Sequence, residues 1–198
     1  MSARVTTLEN GLCVITDPMD SVETVSLGVW VDVGTRHEPA PINGVAHLME
    51  HMAFKGTERR SALDIAAEIE AVGGHLNAYT SREHTAYYAK VLKEDAALAV
   101  DILADILQHS VFDRAELERE RTVILQEIGQ AIDTPDDLIF DLFQERAFPD
   151  QAMGGRCWGG PTSSAASIGT ALRNTCAATT RRRGCCWRRL AILSTRNS

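Results

Sequence analysis

No acidic residue occurs after Asp150, although the 198-residue chain holds 27 Asp and Glu in all. The formal charge of −7 therefore hides two unlike stretches. Residues 1–150 set 12 Lys and Arg against 27 acids, a net −15, and residues 151–198 carry eight arginines and a net +8. Cysteine is nearly missing from the acidic stretch. Cys13 stands alone there, whereas Cys157, Cys176, Cys185 and Cys186 all follow Asp150. One cysteine in 150 residues excludes a disulfide framework for that stretch and points to a reducing compartment. Cys13 itself reads as a small buried hydrophobe. No apolar run approaches the roughly 20 residues that a membrane-spanning helix needs, so no membrane partner is expected. The opening MSARVTTLENGL has neither an apolar signal core nor an Arg/Ser-rich presequence, which places the expected location in the cytoplasm.

What is present suits a soluble globular domain, with 44% hydrophobic and 24% charged residues. Three strands are expected first. Arg4–Leu8 and Leu12–Asp17 flank the turn signal Asn10-Gly11, and Thr24–Val33 alternates so that Val25, Leu27, Val29, Val31 and Val33 share a face. A short helix over 43–54 is closed by Gly56 in the C′ position. A second opens on the pair Ser61/Asp64 and ends at Gly73-Gly74. Strands are expected over 75–80 and 84–92, and a third helix over 94–109. A fourth helix starts at Asp113, capped with Glu116, and runs to Ala131. A fifth starts at Thr134, with Pro135 at its first position, and runs to Ala147. This order predicts an α+β fold, a mainly antiparallel sheet with helices packed on one face.

The residues that carry chemistry are His47-Leu-Met-Glu50-His51. On a helix His47 and His51 are four apart and share a face, so two imidazoles can hold one metal. Glu50 is three residues from His47 and one from His51. That places it near the metal face but poorly for ligation beside both histidines, which suits a general base acting on metal-bound water. Two histidines and a carboxylate with an open fourth position form a catalytic zinc arrangement. The fourth helix offers carboxylates at Glu120 and Glu127, two turns apart on one face. A five-residue pattern recurs by chance, so the motif alone does not decide. His37, His75, His84 and His109 have no ligand spacing to one another and read as structural or solvated.

Three segments in order resemble the pitrilysin/insulinase family of zinc metallopeptidases, in particular its bacterial members of the mitochondrial-processing-peptidase type. They are GVAHLMEHMAFKGT, GGHLNAYTSREHTAYYAKVL and FDRAELERERTVILQEI. The resemblance covers residues 4–154 and corresponds to an N-terminal half. Glu127 stands seventy-six residues after His51, the spacing at which that family carries its third zinc ligand. The resemblance thus implies one zinc ion on His47, His51 and Glu127, with Glu50 as base. Glu120 matches a second acidic position, where it would orient a ligand histidine. It also implies substrate binding at Asn77, Ala78 and Tyr79, on an edge strand to which a peptide can add.

The expected function is zinc-dependent endopeptidase action on peptides or unfolded polypeptides. The alternative is an inert truncated fragment, or a non-catalytic partner subunit of a processing-peptidase-like complex. Family members are about twice this length, with a second half that closes a chamber, so a partner chain or half-domain is expected. Where the family continues with something like R-P-V-L-G, this chain has GRCWGG. High-GC codons read one base out of frame give such Arg-, Cys- and Trp-rich, acid-free sequence. Residues 1–154 are therefore expected to form the catalytic domain, and 155–198 an aberrant tail, frameshifted or disordered. RRRGCCWRR has no nucleic-acid-binding fold around it, so no nucleic-acid partner is expected.

Overall fold

The computed structural model describes residues 3–19, 21–159 and the backbone of 190–194. Strands β1 (Arg4–Thr7) and β2 (Cys13–Thr16) form the expected hairpin, in register Thr7↔Cys13. Its turn needs Gly11, which sits at φ +87°, and the Leu12 amide donates to Asn10 Oδ1 at 3.0 Å. β3 (Thr24–Val31) pairs antiparallel with β5 (Thr85–Leu92), which pairs in turn with β4 (His75–Thr80). β6 (Leu190–Ser194) lies between β2 and β3, parallel to the first and antiparallel to the second. The sheet order is β1-β2-β6-β3-β5-β4, which leaves β4 at an edge.

Period-two alternation builds the core. Val25, Leu27 and Val29 stand directly opposite Val91, Ala89 and Tyr87, and all six are buried. Three helices cover this face: α1 (Val45–Ala53), α2 (Ala62–Ala71) and α3 (Ala96–Gln108). They contribute Ala53, Ile65, Ile69, Ile102, Leu103 and Ile106 to the same cluster. The architecture is α+β, mainly antiparallel, with the helices on one face. A second cluster joins α1 to α4 (Arg114–Asp133), where Leu48 and Met52 meet Phe112, Leu117 and Ile124. α5 (Pro135–Ala147) follows.

Local signals account for most element ends. Ser61 and Asp64 cap α2 reciprocally. Asp113 Oδ1 accepts from the Ala115 and Glu116 amides at 2.8 and 3.1 Å, but the Glu116 carboxylate turns to Arg119 instead of closing a box. Thr134 does not cap α5 with its side chain. Its hydroxyl donates back to the Gln130 carbonyl at 2.8 Å, and Pro135 with Asp136 and Asp137 starts the helix. α3 begins at Ala96 because residues 93–95 wind as a 3₁₀ turn. Gly56 lies two residues beyond the α1 C-cap Phe54, at φ +118°, and not directly after it. Cys13 is half-buried, on a strand near the sheet's outer edge, and not a core residue.

The expectation of an aberrant tail falls mostly on residues 160–189 and 195–198, which lie outside the described residues. Within the tail, β6 supplies an interior strand, and residues 155–159 close against the start of α1. A Cβ on Gly44 would come within 3.0 Å of the Gly159 Cα. The sheet therefore continues past Gly154, where the sequence pattern places the domain's end.

Candidate metal centre

α1 carries His47, Glu50 and His51 on the side turned toward α4 and β4. Its first turn has no side-chain cap, because Gly44 occupies the N-cap at φ +95°. Glu38 fills that role from outside the helix. Its Oε2 accepts from the Gly44 amide at 2.6 Å and from Asn43 Nδ2 at 3.2 Å, and its Oε1 accepts from the Ala46 amide at 2.6 Å. Burial pushes the Glu38 carboxyl above its usual pKa, against the pull of those donors. The turn that presents Glu38 is itself tied down. The Thr35 and Arg36 amides donate to the Ser81 and Arg82 carbonyls, in the loop that joins β4 to β5. The helix bearing the histidines is thus locked to the hairpin bearing the edge strand.

α4 presents one stripe to α1: Leu117, Glu120, Ile124 and Glu127, at spacings of three, four and three. The two apolar members pack on α1, and the two acids meet its histidines. His47 Nε2, His51 Nε2 and Glu127 Oε2 form a triangle with edges of 3.2, 3.6 and 3.4 Å. Donors held about 2.0–2.2 Å from one tetrahedral centre stand roughly 3.3–3.6 Å apart, so the three sit as ligands of a single small cation would. Glu127 Oε2 is buried and has no hydrogen-bond partner, and neither has His47 Nδ1. A carboxylate oxygen left in that state is costly unless a cation takes it. Among the described residues, these three are the group able to hold a metal.

Burial pushes the His47 imidazole down to about 4, and the charge of His51 adds to the effect. Its ring stays neutral near pH 7, with a lone pair free to ligate. His51 Nδ1 lies 2.9 Å from Glu120 Oε2, so it carries the proton that this carboxylate accepts, and Nε2 is left as the donor to a metal. Glu50 is not part of the triangle. Its carboxyl lies beside Thr80 at the end of β4, with Oε2 unpartnered, and burial raises its pKa. That is the condition of a base poised to take a proton.

Some placements differ from what the sequence pattern suggested. Glu120, in the run ELERER that reads as a solvated face, is buried at 5% exposure. Glu127 is about one-third exposed, and its apolar neighbours Val123 and Leu125 are exposed as well. Asn77, Ala78 and Tyr79 lie on β4 at the free edge. The Asn77 side chain bonds the Ala78 amide at 2.8 Å, and the Tyr79 hydroxyl meets His84 Nε2 at 3.1 Å. His37 binds the Gly34 amide and is structural. Four contributors have no signal in the motif: Glu38, Lys55, Thr80, and Trp158, whose ring packs edge-on to His47 at 4.9 Å. Only Glu38 had a readable cue, an acid shortly before a helix whose N-cap is glycine.

The family model "Insulinase (Peptidase family M16)" matches residues 13–159. The chain belongs to the insulinase family of peptidases. Among its relatives, the chain is 49% identical to the bovine mitochondrial-processing peptidase subunit beta over 165 residues. That match covers 83% of this chain and 33% of the relative. It is 42% identical over 167 residues to the uncharacterized zinc protease YmxG of Bacillus subtilis, covering 84% of this chain and 41% of that one. The crystal structure of a protease from Helicobacter pylori superposes on the whole chain with a TM-score of 0.86 at 22% identity. It shares the fold, and this chain covers 47% of it. The chain thus spans a third to two-fifths of the length of the curated insulinase-family relatives it matches.

Proposed function

We propose that this chain carries the zinc-binding half of a metalloendopeptidase that acts on peptides or unfolded polypeptides. The observation that carries the reading is the donor triangle of His47, His51 and Glu127 with Glu50 beside it. A zinc ion held there supplies Lewis acidity and an acidified water. Glu50 takes up the proton of the attacking water and returns it to the leaving amine. Glu120 keeps His51 in the tautomer that ligates. β4 is an edge strand along Asn77, Ala78 and Tyr79, on which an extended substrate adds as a further strand once the Ala78 amide exchanges the Asn77 side chain for the substrate's main chain. Specificity then comes from that edge and from a partner chain or second half-domain that closes the chamber.

The metal reading is tested on the full chain by equilibrium dialysis and metal analysis. The unmodified protein is expected to hold about one zinc, and His51→Ala and Glu127→Gln are each expected to lose most of it. Unchanged metal content in both variants overturns the assignment.

A further inference from the structure

Glu120 has a second partner, which the ligand pattern does not include. Its Oε2 accepts from His51 Nδ1, and its Oε1 lies 2.6 Å from Lys55 Nζ. The carboxylate is nearly closed off from water, at 7% side-chain exposure, while Lys55 is 30% exposed and approaches from the solvent side. Each oxygen of Glu120 thus has one close partner, the Lys55 ammonium at Oε1 and the His51 ring at Oε2. Lys55 follows the end of α1, and Glu120 comes from the first half of α4. The ion pair therefore clamps the helix that carries the histidines to the helix that carries Glu127.

Resting on the zinc-site reading above, the geometry points to Lys55 as a positioning residue for the metal centre, which holds Glu120 in the rotamer that orients His51. Without the ammonium, a buried carboxylate has one oxygen unpaired, and it gains by turning away from His51 toward water. His51 then loses its fixed ring orientation, and the donor triangle loosens. Burial works against the Glu120 charge, and Lys55 followed by His51 overrides it, so the carboxyl pKa lies below its ordinary value. The effect agrees with a carboxylate that accepts from both neighbours. An exposed Lys–Glu pair contributes little, but here the acid is buried, and outer partners of metal ligands alter affinity about 10–100-fold.

The test measures metal binding to the full chain and needs no turnover. Zinc affinity is read by chelator competition, and the ligand field by the visible spectrum of the Co²⁺-loaded protein. Lys55→Met is expected to weaken zinc binding about tenfold and to shift the Co²⁺ bands, with far-UV circular dichroism retained. Lys55→Arg, which can still reach Glu120, is expected to restore both. In a Glu120→Gln background, Lys55→Met is expected to add almost nothing, because its route to the metal is already cut. Wild-type affinity and spectrum in Lys55→Met overturn the role of Lys55 while leaving the metal site standing. Additive losses in the double variant overturn it equally. A wild-type chain that binds no zinc overturns the metal-site reading itself.

Discussion

Three glutamates within one small site have three different environments. Glu127 aims an unpartnered oxygen at two imidazole nitrogens. Glu120 is saturated by Lys55 and His51. Glu50 faces Thr80 and has its pKa raised by burial. The sequence made the motif legible, and α-helical spacing gave the shared face of His47 and His51. It did not make Glu120's burial legible, because ELERER looks like any solvated run. Nor did it single out Lys55, since a cation after a helix end is ordinarily read as a dipole partner. The separate environment of Glu50 yields a sharp expectation. Glu50→Gln, assayed in a form that has both halves, should keep its zinc and lose about 10²–10⁴ in kcat, the usual worth of a general base. Metal analysis beside the rate assay decides it, since loss of zinc together with turnover would make Glu50 a ligand.

At the level of elements, boundaries written in adjacent residues were legible and those written across the chain were not. The Ser61/Asp64 box and the Asp113 cap are local, and the structure carries both. The start of α1 depends on Glu38, six residues before Gly44, and reaches across a turn held by the β4–β5 loop. Removing one of its two acceptor oxygens should therefore destabilise the fold as loss of a helix cap does. Glu38→Gln is expected to cost about 1–2 kcal/mol by urea denaturation. The pH dependence has a definite sign. The folded-state pKa of Glu38 lies above its ordinary 4.5, so its protonated form is favoured by folding. That contribution is fully present below pH 4.5 and is lost as pH rises through the folded value. The stability gap between wild type and Glu38→Gln should accordingly narrow from pH 4.5 to pH 7.5. A gap that widens over this range would show that the backbone donors outweigh burial.

For the whole molecule, composition changes at Asp150 but does not say how the sheet is completed. β6 comes from an acid-free segment without turn or cap signals, and its partners are more than 150 residues away in sequence. Pairing of that kind is set by the gap between β2 and β3, not by anything local. On α5, Ile139, Phe140, Leu142 and Phe143 are 45–69% exposed, a density of apolar surface uncommon on a free-standing protein. The curated relatives are also two to three times longer than the matched region. On the proposed reading, a peptide laid along β4 meets a single wall among the described residues. Orientation and electrostatic preorganisation supply much of a peptidase's rate, and both weaken in that setting. The isolated chain is therefore expected to bind about one zinc yet cleave an unfolded polypeptide no faster than its Glu50→Gln variant. Mixing it with the separately produced C-terminal half of the Bacillus subtilis relative should bring cleavage that zinc chelation abolishes and that Glu50→Gln lacks. Zinc-dependent cleavage by the isolated chain at the rate of the mixture would mean that the facing half is dispensable, and that one wall of the site suffices for chemistry.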